Sequence, residues 1–131
     1  MKKSEIKLSD PQRSHLTTRV LVVEDDALIA LDLARQLTDA GFEVVGPALS
    51  VARALKLIAH QGCDVAVLDV NLGHETSEAI AHDLRARGTP FVVLSGYSKE
   101  QHPEGLQGAP VLSKPASHLE LVTTLLECAR A

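Results

Sequence analysis

The stretch RVLVVEDDALIALDL, residues 19–33, sets three carboxylates (Glu24, Asp25 and Asp26) directly after an unbroken apolar run, VLVV. Adjacent like charges repel, so something at this place must offset them. Two candidates are the N-terminus of a following helix and a bound cation. The apolar run is short, β-branched and without polar alternation, as expected of a strand covered on both faces. Ile29, Leu33, Leu37 and Ala40 then form a helical stripe over about 27–40, closed by Gly41.

The same pattern recurs downstream. FEVVG (42–46) reads as a second strand, and Ser50 caps a helix to about His60 with Ala54, Leu57 and Ile58 inward. DVAVLDV (64–70) is a third strand, followed by a helix over about 77–87 that stops at Gly88. PFVVL (90–94) and APVL (109–112) supply the fourth and fifth strands. SHLE at 117–120 has the spacing of a capping box and opens a last helix through Leu119, Val122, Leu126 and Ala129. Strand and helix alternate throughout, which predicts an α/β fold: a doubly wound, five-stranded parallel sheet with about five helices. The fourth crossover is the weak unit. Pro103, Gly105 and Gly108 leave room there for one or two helical turns, so its helix is expected to be short or irregular.

A chain of 131 residues can close one core without staples. Hydrophobic residues make up 45 % and aromatics only 2 %, so the core must be aliphatic. No apolar run approaches the length of a membrane span, and no signal-peptide pattern opens the chain. Cys63 and Cys128 form no CxxC and read as reduced thiols, which suits the cytoplasm. A net charge of −4 argues against nucleic acid as a direct ligand. Residues 1–19 hold five basic side chains against two acidic ones, a net +3 that leaves −7 for the remainder. Residues 1–16 lack periodicity and are expected to be a flexible tail, with the folded domain over 17–131.

Ligands of open α/β sheets bind beyond the carboxyl ends of the strands, where strand order reverses. In the order 2-1-3-4-5 the first strand brings Glu24 and Asp25 beside Asp69 of the third. Ser95 and Lys114 reach the same rim from the fourth and fifth. Clustered carboxylates make a hard-oxygen site suited to Mg²⁺, and a lysine beside a hydroxyl suits a phosphoryl group near that metal. Asp26 reads instead as a helix cap or a solvated acid. His74, Glu78 and His82 are spaced by four, yet a solvated face explains them better than zinc. Phosphate-binding glycine loops, Ser-His-Asp constellations and GxSxG elbows are missing.

LVVEDD, VAVLDVNL, LSGY and LSKP, in this order and spacing, closely resemble the receiver domain of two-component response regulators across residues 19–131. The resemblance implies a flavodoxin-like fold in which Asp69 accepts a phosphoryl group from the phosphohistidine of a histidine kinase or histidine phosphotransfer protein. It also implies that Glu24, Asp25, Asp69 and the backbone carbonyl of Asn71 hold Mg²⁺. Ser95 is then the switching hydroxyl, Lys114 the phosphate-contacting cation, and Lys114–Pro115 a cis bond. Departures from the family pattern are Val111 where an aromatic is usual, Gly73 where proline is usual, and GHETS in the following turn; Tyr97 is a candidate substitute for the missing aromatic signal. Some stretches are similar to small stand-alone receivers.

The function expected is therefore a phosphoacceptor module acting through protein binding in a two-component or phosphorelay pathway. It would be no enzyme beyond its own phosphotransfer and dephosphorylation, would carry no output domain and would not insert in a membrane. Homodimerisation through the last helix and fifth strand is one open route of output. A phosphorylation-independent adaptor of the same fold is the alternative. A DxD-type phosphatase fits poorly because the first strand is followed by Glu24-Asp25-Asp26, and no Ser/Thr-rich loop suggests flavin binding.

Overall fold

The computed structural model describes residues 17–96 and 102–130. The expected tail at 1–16 and the candidate aromatic Tyr97 lie outside the described residues. Seven strands and four α-helices follow in order: β1 (Arg19–Val23), α1 (Ala27–Asp39), β2 (Glu43–Ala48), α2 (Val51–His60), β3 (Val65–Asp69), β4 (Asn71–Leu72), β5 (Glu75–Thr76), α3 (Glu78–Ala86), β6 (Phe91–Ser95), β7 (Val111–Ser113) and α4 (His118–Arg130). Among the described residues of the crossover between β6 and β7, where a short, irregular fourth helix is expected, Glu104–Leu106 forms a 3-10 turn.

The main sheet runs β2-β1-β3-β6-β7, and each of its pairings is parallel. This is the doubly wound, flavodoxin-like order read from the sequence. Successive residues of β1 divide between the two faces, as a strand's period of two requires. Leu21 and Val23 pack with Ala54 and Ile58 of α2, Ile80 and Leu84 of α3, and Leu106. Val20 and Val22 pack on the other face with Leu33 and Leu37 of α1 and Leu121 and Leu125 of α4. Most of these side chains are fully buried, and each Val, Leu or Ile among them contributes about 1.5–3 kcal/mol relative to exposure. None of the described helices is long and apolar enough to cross a membrane.

Three of the four described α-helices start at a side-chain cap. The Asp26 carboxylate accepts from the Leu28 and Ile29 amides, Ser50 Oγ from Arg53 N, and Ser117 Oγ from Glu120 N. The stripe expected on α1 holds at Leu33 and Leu37 but not at its ends, where Ala30 takes the place of Ile29. Ala30, Leu33 and Leu37 are buried, while Ile29 is 43 % exposed and Ala40 is the exposed C-cap. In α2, Val51 joins Ala54 and Ile58 inside and Leu57 is half-buried. In α4, Leu121 and Leu125 form the buried line, with Leu119 turned to solvent.

Two features were not expected. β2 continues to Ala48 through a cis Gly46–Pro47 bond. It is an edge strand, which tolerates a proline because one row of its amides has no ladder partner. GHETS does not form a plain turn: β4 and β5 pair antiparallel, Asn71 opposite Thr76 and Leu72 opposite Glu75, as a small hairpin beyond the end of β3.

Candidate metal and phosphoryl site

Strand register brings the acids together. Val23 of β1 pairs with Leu68 of β3, so Glu24 emerges beside Asp69, itself opposite Leu94 of β6. One oxygen each from Glu24, Asp25 and Asp69 lies within 4.8 Å of the others. Oxygens sharing an octahedral Mg²⁺ at about 2.1 Å sit roughly 3–4 Å apart, so small side-chain movements would close these three on one ion. Two of the three are largely buried, Glu24 at 1 % exposure and Asp69 at 9 %, while Asp25 is exposed. A hard-oxygen donor set and buried negative charge both fit a divalent cation.

Lys114 compensates part of this charge. Its Nζ lies 2.9 Å from Asp69 Oδ1 and 3.1 Å from Glu24 Oε1. Burial pushes the Glu24 carboxyl above its ordinary value, and the Asp69 charge adds to this. The Asp26 amide, which donates to Glu24 Oε2 at 3.1 Å, and Lys114 oppose it. Burial pulls the Lys114 ammonium down, but the Asp69 and Glu24 carboxylates outweigh that and hold it above its ordinary value. The Lys114–Pro115 bond is cis, as the resemblance implied.

The remaining expected residues fall around this rim. Ser95 ends β6 opposite Ser113, with its carbonyl accepting from Lys114 N at 2.9 Å. Asn71 lies two residues past Asp69 on β4. Asp26 is occupied as the cap of α1 and stands outside the cluster of three. His74 and His82 are exposed, and neither joins a metal-binding group among the described residues.

Two contacts were not foreseen. Gly73 N donates to Asp25 Oδ2 at 3.0 Å, which ties the tip of the β4–β5 hairpin to the site. A proline at this position would have no N–H to give. Its φ of +71° lies in the left-handed region that glycine adopts at no steric cost. The other contact is His102, buried at 8 % exposure, whose Nε2 lies 2.6 Å from Ser95 Oγ. No sequence signal marks it, because it follows the site residue by seven positions on an irregular crossover.

Residues 20–126 match the family model for the response regulator receiver domain. The transcriptional regulatory protein PdtaR of Mycobacterium tuberculosis is 32 % identical over 111 residues, covering 82 % of this chain and 54 % of that protein. The chain thus spans about half the length of this curated relative. Among solved structures, the receiver domain of a Francisella response regulator is 30 % identical with a TM-score of 0.74, covering 86 % of this chain and 97 % of that one. A Burkholderia pseudomallei response regulator, solved with a phosphorylated aspartic acid, calcium ion and citrate, is 26 % identical with a TM-score of 0.75. That match covers 86 % of this chain and 69 % of that one.

Proposed function

The chain belongs to the response regulator receiver domain family, and on that footing we propose that Asp69 accepts a phosphoryl group from the phosphohistidine of a partner kinase or phosphotransfer protein. The observation that carries this reading is the convergence of Glu24, Asp25 and Asp69 oxygens with the Lys114 ammonium at one sheet edge. A carboxylate oxygen of Asp69 attacks phosphorus, the phosphorus–nitrogen bond to the partner's imidazole breaks, and the imidazole leaves with a proton. Lys114 stays beside the group and offsets charge on its oxygens. Mg²⁺, held by Glu24, Asp25, Asp69 and the Asn71 carbonyl, would supply Lewis-acid neutralisation of the same oxygens. The Ser95 hydroxyl donates to the phosphoryl group once it has transferred. Water later attacks the acyl phosphate, releasing inorganic phosphate and restoring the carboxylate.

An apolar groove of about 520 Å³ opens beside Lys114, lined by Leu28, Ile29, Leu94, Pro115 and Leu121 among others. Leu28 and Ile29 leave apolar surface of α1 exposed along it. That surface suits a partner's amphipathic helix carrying the donor histidine next to Asp69. The reading places the protein in the cytoplasm with such kinases. Its output is proposed to pass through protein binding, since phosphorylation adds about −1.5 to −2 charge at one rim.

The test is incubation with a small phosphodonor and Mg²⁺, followed by intact mass. One added phosphoryl group is expected, abolished by Asp69→Asn and by EDTA. Absence of labelling would favour a phosphorylation-independent adaptor, and labelling that survives Asp69→Asn would overturn the assignment of the acceptor.

A further inference from the structure

His102 is a buried imidazole to which the phosphotransfer just described gives no role. We infer that His102 is a positioning residue that withholds the Ser95 hydroxyl from a phosphoryl group on Asp69, an inference that rests on the phosphoacceptor reading. Both partners are buried, at 8 % and 2 % exposure. Nε2 and Oγ lie 2.6 Å apart, a hydrogen bond whose direction follows the imidazole tautomer. With the ring proton on Nδ1, the tautomer this inference takes, Nε2 accepts and the Ser95 hydroxyl donates to it. A serine carries one hydroxyl proton, so the same group cannot also donate to a phosphoryl oxygen.

The segment that carries His102 is pinned. Gln107 Nε2 donates to the His102 carbonyl at 3.3 Å, and Gly105 N donates to Glu78 Oε2 on α3 at 3.0 Å. Arg85, also on α3, donates to the Gly105 and Gln107 carbonyls at 2.6 and 2.5 Å. Its guanidinium sits 5.0 Å from the centre of the Phe91 ring. Carboxylate and guanidinium together fasten the 3-10 turn to α3, and the imidazole is held against β6 from that fixed base. His102 also lines a cavity of about 280 Å³, with Leu106, Gln107, Gly108 and Val111. The ring has space to turn when Ser95 lets go. Phosphorylation of Asp69 then exchanges one partner of Ser95 for another and frees a buried imidazole next to α3.

The trifluoroberyllate anion, which adds to a carboxylate as a phosphoryl mimic, allows the exchange to be measured at equilibrium. Its affinity in Mg²⁺ is read by fluorine NMR for the wild type, His102→Phe, Ser95→Ala and the double variant. His102→Phe is expected to bind about five- to tenfold more tightly, the worth of one net hydrogen bond. In the Ser95→Ala background the same substitution should change nothing. His102→Gln, which returns an acceptor near the place of Nε2, should restore affinity close to wild type. His102→Leu gives the same readout where the phenylalanine variant fails to melt cooperatively. Unchanged or weaker binding in His102→Phe, or equal tightening with and without Ser95, would overturn the role of His102. Failure of the wild type to bind the anion at all would overturn the phosphoacceptor reading instead.

Discussion

Replacing Lys114 with methionine isolates the electrostatics of the site. The ammonium compensates two carboxylates at 2.9 and 3.1 Å, one of them 1 % exposed. Each contact is worth at most about 6 kcal/mol at an effective dielectric of 20. Lys114 itself is 30 % exposed, so solvent screening and the lysine's own desolvation reduce the net loss to about 1–2 kcal/mol. For a domain of this size that lowers Tm by about 5–10 °C. Melts of wild type and Lys114→Met in EDTA should show this gap. Millimolar Mg²⁺ should narrow it, because a divalent ion neutralises the same oxygens. The pH dependence has a defined sign. Lys114 is held above its ordinary 10.5 in the folded chain, so its stabilisation is complete below 10.5 and fades as pH climbs through the higher folded value. The gap should therefore close in strong alkali. An unchanged Tm in EDTA, or a deficit that Mg²⁺ does not reduce, would refute the charge-compensation reasoning.

Glu24 gives a pH signature of the same sign in a lower window. Burial raises its carboxyl above 4.5, so the folded chain binds that proton more tightly than the unfolded chain. In EDTA, wild-type stability relative to Glu24→Gln should fall as pH rises from 4.5 through the folded value, as followed by urea titrations at stepped pH. Asp26→Ala should cost about 1 kcal/mol in thermal melts through loss of the α1 cap, yet leave Mg²⁺ affinity within about twofold by calorimetry. Arg85→Ala removes both carbonyl contacts to the 3-10 turn. Amide exchange at Gly105–Gln107, read by mass spectrometry, should accelerate well beyond any change in β3.

The sheet order and the acidic cluster were legible because their signals are local. A strand covered on both faces is an unbroken aliphatic run, and VLVV, VAVL and FVVL all carry that mark. The cap residues Ser50 and Ser117 announce their helices by the same logic. What escaped depends on distant partners. The burial of Ala30 in place of Ile29 on α1 could not be read because both are apolar, and only packing chooses between them. The β4–β5 hairpin has two-residue strands, too short for periodicity, and its tip is anchored by Asp25, 48 positions earlier. His102 sits in a crossover rich in glycine and proline, where no pattern points back to Ser95.

The most direct trial of the central claim is chemical mapping of the labelled carboxylate. Borohydride reduces an acyl phosphate to an alcohol, which converts a phosphorylated aspartate to homoserine and leaves free carboxylates untouched. After phosphodonor and Mg²⁺ treatment, tandem mass spectrometry should find homoserine at position 69 alone, and none when EDTA is present. Conversion of Asp25 or Glu24 in place of Asp69, or phosphate retained on a histidine, would contradict the account.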